Sequence, residues 1–438
     1  MSVRQASAVL LLVLACSLPL RAQSSAEANS GLQFNFGSPG ARSLGMGGAF
    51  VGIADDATAV FVNPAGLTQI LKTEVAMEGR VFSYTNSFPM AGRGIGVPGN
   101  KPPDNVAALI EGRDDARLAG LTFGSVVVPY DRWSFALYRH ELANFQASSR
   151  TEGVFIDRNT DPGGIQPGRF YPADSELRLR IVSYGGSIAY RFRDNLSAGV
   201  TIAQQRATLD SQTVQYAFTG DDIYAKAAYD TPVFVQEQHG RENNLVLHGG
   251  ILWRVRDDLT FGASYEQEND FRVRVRSHLP AQEGGTEARG EFHVPAVYRA
   301  GAGYTFRHYT KISVEIDRIL YSGLTRRFVV FDGEAPLYRV DDGTEIHVGV
   351  QRMLVHDRIV RLIGQPLIVS FGGWRDPDHR IRYEDPSHPQ SVRFRRGADA
   401  YHVSAGASVA VGEAYEAGIA YDYSPRARTA SAFLVVRF

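Results

Sequence analysis

Hydrophobic and polar residues alternate with a period of two along most of the chain from residue 73 onward. Clear examples are residues 259–266 and 429–438, where apolar side chains fall on one face and polar or small ones largely on the other. A period of two is the side-chain repeat of a β-strand, and one apolar face indicates a strand with one wet side. The pattern therefore predicts an all-β chain from residue 73 to residue 438.

The connections between these stretches alternate between tight polar turns and long polar excursions. Short turns at one rim and long loops at the other are typical of antiparallel outer-membrane barrels, and an even strand count returns both ends to the short-turn rim. The predicted strand cores are fourteen: 73–84, 118–128, 133–149, 176–192, 196–213, 240–255, 259–276, 291–306, 310–328, 344–355, 366–375, 398–411, 415–423 and 429–438.

In two of these strands, the face that carries the apolar residues leads to a specific prediction. In the fourth strand the apolar phase switches near Ile181 and Val182, which predicts a β-bulge there. The eighth strand is predicted to place Phe292, Val294 and Tyr298 on the same face without a break. The third strand shows no kink in its pattern.

The N-terminus has the pattern of a secretory signal peptide. Arg4 precedes an aliphatic run at 8–15, and Ala22 offers a small residue at a cleavage position. The predicted signal peptide is residues 1–22. Cys16 ends a passable lipobox, so an acylated lipoprotein anchor is the alternative. Either way, a mature chain with no other cysteine has no disulfide.

The rest of the chain lacks an apolar run of the roughly 18 to 20 residues that a spanning helix needs. An exported chain of this kind is either soluble or a barrel. Predicted strands longer than the usual 5 to 6 residues favour the barrel. The terminal Phe438, on one face with Leu434 and Val436, is typical of a barrel assembly signal.

Composition agrees with a membrane barrel and limits the partners. The chain has 46 basic and 47 acidic residues with a formal net charge of -1, so nucleic acid is not an expected partner. It also has 44 glycines, 20 tyrosines and 24 phenylalanines. Abundant aromatics suit the girdles at the two membrane interfaces.

The segment 23–72 differs from the rest because glycine and alanine dominate and period two is absent. Asp55 or Asp56 is predicted to cap a short helix over 57–61. Asn63 is predicted to cap a turn whose first residue is Pro64. A segment with so little apolar surface cannot fold alone. Residues 23–72 are therefore predicted to form a small helical plug, or hatch, in the lumen of a barrel formed by residues 73–438.

Catalytic and metal motifs are weak. The glycine run 94–99 contains Pro98, and no helix can follow it to bind a dinucleotide. The 11 histidines lack metal-binding spacing, so no metal and no cofactor are expected. Glu315 and Asp317 share the inward face of one strand, where they are expected to wet the lumen. The chain is not expected to be an enzyme.

The plug sequence resembles the FadL-like family of outer-membrane transporters for long-chain fatty acids and aromatic hydrocarbons. The matching runs lie at 40–42, 44–50 and 54–57, and above all at 63–67, where Asn63, Pro64 and Ala65 match the family's hatch motif. The resemblance implies passive diffusion of a hydrophobic molecule into a plugged barrel, hatch movement, and sideways exit through a kink in the third strand. It implies no pocket residues.

The same N-terminal pattern also occurs in PorV-like barrels that act in protein secretion, and a structural outer-membrane role stays open. A general porin is disfavoured because its lumen must remain open to water. The expected location is the bacterial outer membrane, as a monomer. The expected partners are a hydrophobic small molecule, outer-membrane lipid with lipopolysaccharide, and the barrel assembly machinery.

Overall fold

The structure is a computed structural model that describes residues 26–30, 32, 38–160, 164–307, 309–325, 337–355, 360 and 364–438. Over these residues the chain forms one antiparallel sheet that closes into a barrel of fourteen strands. The barrel strands are β1 (Glu74–Gly92), β2 (Leu109–Tyr130), β3 (Trp133–Thr151), β4 (Ala173–Arg193), β5 (Leu196–Phe218), β6 (Ala227–Arg256), β7 (Leu259–Glu266 and Asn269–His278), β8 (Thr286–Val294 and Val297–Phe306), β9 (Thr310–Ile319), β10 (Gly343–Leu354), β11 (Leu367–Asp376), β12 (Ala400–Val411), β13 (Tyr415–Tyr423) and β14 (Ala427–Arg437).

The barrel closes because its first and last strands pair with each other. β1 runs antiparallel to β14, from Glu74 opposite Arg437 to Tyr84 opposite Ala427. β7 and β8 are each interrupted once, and both halves of β7 pair with β6. The all-β, fourteen-stranded antiparallel barrel predicted from the sequence is confirmed, and both ends of the barrel sequence lie at the rim with the short turns.

Each predicted strand core overlaps one barrel strand, but several boundaries differ. The predicted strand 310–328 ends at Ile319, and a 3-10 helix, Tyr321–Thr325, follows it. Several strands run far beyond their predicted ends into the long-loop side, as in β1, β2 and β6. The observed long loops are therefore shorter than the sequence pattern predicted.

The predicted bulge in the fourth strand was assigned to the wrong strand. Glu141 of β3 lies opposite Val182 of β4, and Ala143 lies opposite Ile181, so Leu142 is the extra residue. The bulge belongs to β3, which the sequence pattern left unbroken. Because an extra residue on one strand shifts its register against the neighbour, the disturbance lies at the level of Ile181 and Val182 in both strands.

The polarity of the barrel wall inverts between its two halves. Near the short turns large apolar side chains face outward, and Leu137, Ile188 and Ile251 are 70%, 50% and 54% exposed. Toward the long loops the apolar side chains are instead buried inside, as at Leu179 and Phe271. An outward apolar belt is the membrane-spanning zone of such a barrel. The long-loop half therefore extends beyond the membrane around an apolar core.

This inversion overturns the predicted single face of the eighth strand. Phe292 and Val294 are buried, whereas Tyr298 is 49% exposed on the outside. β8 is interrupted at residues 295–296, and the apolar side chains change face across that break. A continuous period-two pattern in the sequence thus spans two segments that face different environments.

The long-loop end is closed by packed loop residues. A short hairpin, Phe155–Thr160 with Gly164–Arg169, lies there, together with a two-residue ladder between two loops, Tyr338–Arg339 with Arg382–Tyr383. Tyr338 meets Tyr383 and Phe394 edge to face, at ring-centre distances of 4.8 and 5.0 Å. The described loop residues therefore pack over the apolar interior of this half.

Short helices precede the barrel. They are α1 (Ala26–Ser30), α2 (Ala41–Gly45), α3 (Ala59–Val62) and the 3-10 helix Pro64–Gln69. The predicted cap of Asn63 is confirmed, since its side chain accepts from Ala65 N and Pro64 is the first helical residue. α3 begins at Ala59 rather than at 57. Among the described residues, no helix is long and apolar enough to cross a membrane. The predicted signal peptide, 1–22, lies outside the described residues.

Candidate functional site

Residues 38–70, here called the plug segment, lie inside the barrel and contact the wall on several sides. A Cβ atom added at Gly199 would approach Pro64 to 2.5 Å, one at Gly262 would approach Val51 O to 2.0 Å, and one at Gly349 would approach Met46 O to 2.3 Å. These glycines lie on β5, β7 and β10. Because glycine has no Cβ, it allows the plug backbone to approach the wall this closely.

Buried glutamates of the wall hold the plug segment through its backbone. Their carboxylates accept hydrogen bonds from N–H groups of the plug: Glu315 from Phe50 and Val51 at 2.6 and 2.7 Å, Glu78 from Gly40 at 2.8 Å, and Glu74 from Ala57 at 3.0 Å. The plug is thereby anchored to β1 and β9.

A second anchor is a charged network between the plug and the wall. Arg42 Nη1 lies 2.5 Å from Asp55 Oδ1, and Lys311 of β9 contacts the other oxygen of Asp55. Arg42 also donates to Gln351 of β10 at 2.7 Å. Burial would raise the pKa of Asp55, but Arg42 and Lys311 outweigh burial and lower that pKa below its usual value. For Asp56, burial outweighs Arg42 and raises the pKa to about 6.

Asn63 is fully buried and joins two parts of the plug to the wall. Its Oδ1 accepts from Ala65 N at 3.2 Å, and its Nδ2 donates to Val51 O at 3.0 Å and to Ile251 O of β6 at 3.1 Å. Pro64 and Ala65 pack beside it against Gly199 and are buried. The predicted motif is thus a structural junction, and its gating role remains a prediction.

A layer of polar and aromatic side chains, most of them buried, lies next to the plug on β7 to β13. His347, Trp374 and His402 stack in a row, with ring centres 5.3 and 4.0 Å apart. His402 Nδ1 lies 2.7 Å from Asp422 Oδ2. Arg299 donates to Glu266 at 3.2 Å. This layer lies beside the plug, and on other sides plug residues such as Phe61 belong to the same apolar cluster as the core of the long-loop half.

The barrel wall has a lateral gap between β2 and β3. The two strands pair only from Tyr130 opposite Trp133 to Phe123 opposite His140. Beyond that point, residues 109–121 of β2 pair with β1 and leave Thr122 as an extra residue, and β3 pairs with β4 up to Thr151 and leaves Leu142 as an extra residue. The gap begins where both strands carry an extra residue, Thr122 in β2 and Leu142 in β3, because a bulge bends its strand away from the neighbour.

Side chains satisfy backbone groups that the missing strand pairing leaves free. Arg139 donates to the carbonyl of Leu121 at the edge of the gap nearest the short turns. Farther along, Tyr84 OH exchanges hydrogen bonds with the backbone of Gln146 at 2.5 and 2.6 Å. Unpaired buried N–H and C=O groups are costly, so these substitutes stabilise a break in the sheet. The gap is therefore a built feature of the wall.

One cavity connects the polar layer to the lateral gap. It holds about 1290 Å³ of space between atoms, part of it open to the outside. Its inner wall includes Gly48, Arg299 and His347, and its outer end is formed by both strands of the gap: Leu118, Ala119, Gly120 and Thr122 from β2, and Glu141, Leu142, Ala143 and Asn144 from β3. The lumen next to the plug is thereby continuous with the side of the barrel.

Outside the gap, the lipid-facing wall is a shallow apolar groove. It runs over β1, β2 and β11 to β14 and is lined mainly by small residues: Gly79, Val81, Ala119, Gly120, Ala405, Ala407, Ala430 and Ala432 among them. Arg80, Ala119 and Gly120 border both the groove and the inner cavity. A molecule leaving the gap would therefore meet an apolar surface.

The predicted assembly residues lie at the closing seam of the barrel. Leu434 and Phe438 are 47% and 75% exposed on the outer face, with Val436 between them on that face. Phe438 N donates to Thr73 O at 2.9 Å, which joins the chain end to the start of β1. Their role in assembly remains a prediction.

Comparisons with known proteins identify the fold. No protein-family model matches the chain, and no curated protein matches it in sequence. Solved structures do match over nearly the whole chain. A FadL homologue of Pseudomonas aeruginosa has a TM-score of 0.61 at 14% identity, covering 93% of this chain and 99% of that one. The toluene transporter TbuX of Ralstonia pickettii has a TM-score of 0.54 at 14% identity, with 92% and 99% covered.

The channel CymD, described as a monoaromatic hydrocarbon channel, has a TM-score of 0.56 at 14% identity, with 93% and 99% covered. At such low identity these matches establish the fold. They agree with the resemblance carried by the plug sequence. The chain therefore has the fold of the FadL-like outer-membrane barrels.

Proposed function

We propose that this protein is an outer-membrane transporter for hydrophobic small molecules, which diffuse passively past the plug and leave sideways between β2 and β3. The observation that carries the proposal is the cavity that runs from the polar layer beside the plug to the lateral gap. A plugged axis together with an open side suits a solute that partitions into lipid better than into water.

The chemistry of the route favours an apolar solute. The long-loop half has an apolar interior, and Phe82, Leu118 and Leu142 line the cavity toward the gap. Moving apolar surface out of water is worth about 25 cal/mol per Å², so a hydrophobic molecule gains at each step along such a lining. Sideways exit then delivers it to the apolar belt of the membrane, and the molecule never crosses the aqueous space at the short-turn rim.

Two substrate classes fit this route, long-chain fatty acids and aromatic hydrocarbons. The toluene transporter TbuX among the similar structures supports the aromatic class, and the resemblance of the plug sequence to the FadL-like family supports the fatty-acid class. Uptake of labelled oleate and labelled toluene, measured in parallel, distinguishes them. A protein that acts only in secretion or as a structural barrel would raise neither rate.

The test of the route is deletion of Leu142. Removing the extra residue restores continuous alternation in β3, so β2 and β3 can pair beyond His140 and close the gap. We expect cells with this deletion to take up the preferred substrate no faster than cells without the protein. Leu142→Ala keeps the bulge and is the matched control, with uptake expected near the wild-type rate. Wild-type uptake by the deletion variant, inserted at normal levels, would refute lateral exit through this gap.

A further inference from the structure

Four inward side chains of β9 and β10 form a compact buried patch. Glu315 and Asp317 lie two residues apart on β9, and in the strand register they stand opposite His347 and Glu345 of β10. All four residues are at least 90% buried. Sequence spacing alone does not show this patch, because half of it comes from the neighbouring strand.

Three of these side chains converge on one point. His347 Nε2 lies 3.2 Å from Glu345 Oε2 and 3.9 Å from Asp317 Oδ2. One ligand atom from each of the three residues lies within 4.8 Å of the others. A tetrahedral ion with bonds of about 2.1 Å holds its ligand atoms roughly 3.4 Å apart. The observed separations bracket that value, so small side-chain adjustments would complete such a site.

The histidine is oriented as metal-binding histidines usually are. Its Nδ1 lies 2.7 Å from the backbone carbonyl oxygen of Gly47 in the plug segment. A carbonyl oxygen only accepts, so Nδ1 carries the proton and Nε2 is left facing the two carboxylates. A ligating histidine characteristically donates its other N–H to a carbonyl or carboxylate, which fixes the ring and its tautomer.

Charge and hydrogen bonding at the patch also favour a cation. Glu266, Glu315, Asp317 and Glu345 place four carboxyl groups around Arg299, which contacts Glu266 at 3.2 Å and Asp317 at 3.4 Å. Asp317 Oδ1 and Glu315 Oε1 are buried and lack a hydrogen-bond partner. Buried carboxylates in excess over their counter-charges are costly unless paired or bound to a metal.

We propose that Asp317, Glu345 and His347 bind one divalent first-row transition-metal ion such as Zn²⁺. Imidazole nitrogen and carboxylate oxygen are both ligands that Zn²⁺ accepts, and tetrahedral coordination leaves one position for a fourth ligand. The three residues border the cavity, so this position opens toward it. The inference does not depend on what the barrel transports.

The metal would also fasten the plug to the wall. His347 holds Gly47 of the plug through Nδ1, and Glu315, the fourth member of the patch, holds the N–H groups of Phe50 and Val51. An ion on His347 fixes the ring that holds Gly47. The bound ion therefore stabilises the docked position of residues 46–51, and its removal loosens them.

The experiment uses the full chain, purified in detergent, stripped with a chelator and titrated with Zn²⁺. We expect about one Zn²⁺ per chain, with His347→Gln and Glu345→Gln each weakening binding by at least about 10-fold. His402→Gln is the matched control, since His402 is also buried against a carboxylate but lacks a third ligand, and it should bind as the wild type does. Co²⁺ in the wild-type site should give the visible absorption of a tetrahedral ion.

A second measurement protects the test against misfolded variants. In the wild type, Zn²⁺ should slow amide hydrogen exchange of residues 46–51, and the chelator should reverse the effect. Zn²⁺ binding by wild-type protein no stronger than by His347→Gln, or equal losses in His402→Gln, would overturn the assignment. So would wild-type protein that binds no Zn²⁺, because the patch would then hold a proton between His347 and its carboxylates.

Discussion

Replacing Asn63 by alanine should release the plug by an amount that the structure allows us to work out. The substitution removes three hydrogen bonds, to Ala65 N, Val51 O and Ile251 O. Two of these bonds lie within the plug and one joins it to the wall, so at about 1 kcal/mol net for each bond the folded, docked plug should lose about 3 kcal/mol of stability in total. The helix cap alone, which is all that the sequence indicated, accounts for only about 1 kcal/mol. The two further bonds, to Val51 O within the plug and to Ile251 O of the wall, thus triple the expected effect.

Hydrogen exchange of the segment 59–70 measures this directly in the inserted barrel. A loss of about 3 kcal/mol corresponds to roughly 100-fold faster exchange if the amides exchange through plug release. Asn63→Ser keeps an acceptor for Ala65 N but loses the amide donor, so its exchange should fall between those of wild type and Asn63→Ala. Wild-type exchange in Asn63→Ala would refute the reasoning. Wild-type exchange in Asn63→Ser would show that only the cap matters.

Three further predictions concern the gap, the chain end and pH. Gly120→Trp should fill the lateral gap and abolish uptake. Gly249→Trp is the control and should leave uptake unchanged, because Gly249 lies where the wall strands are paired on both sides. A Cβ atom at either glycine meets nothing within 4 Å, so both positions have room for the larger side chain. Deleting Phe438 should leave unfolded protein at the short-turn side of the membrane, and normal insertion of the truncated chain would contradict this. Because burial raises the pKa of Asp56 from 3.8 to about 6, plug docking should weaken as pH rises through that window. Hydrogen exchange corrected for its intrinsic pH dependence should show this weakening, and Asp56→Asn should lack it.

The strands and their order were predictable because each strand is long and has one apolar face. The cap at Asn63 was also predictable, because Asn followed by Pro is a local signal. The period-two pattern misled at residues 292–306, where the apolar residues continue in phase although their surroundings change from an enclosed core to lipid. A period of two records which side chains share a face, and it does not record what lies beyond that face.

The lateral gap and the patch around His347 were not predictable for a different reason. The disturbance at Ile181 and Val182 was visible in the sequence, but register belongs to a pair of strands, so the pattern could not show which strand carries the extra residue. Likewise, Glu345 and His347 meet Asp317 only through the pairing of β9 with β10. Glu315 and Asp317 were recognised as inward-facing, whereas their partners depend on register.

The central claim is that a hydrophobic molecule passes through the gap between β2 and β3. The most direct test uses a long-chain fatty acid and an aromatic hydrocarbon, each carrying a photoreactive diazirine, with the purified barrel in lipid nanodiscs. After illumination, mass spectrometry locates the labelled residues. The account predicts labelling at 118–122 and 141–144 that excess unlabelled compound suppresses and that deletion of Leu142 abolishes. Labelling confined to the outer belt away from the gap, or to the turns at the short-turn rim, would contradict it.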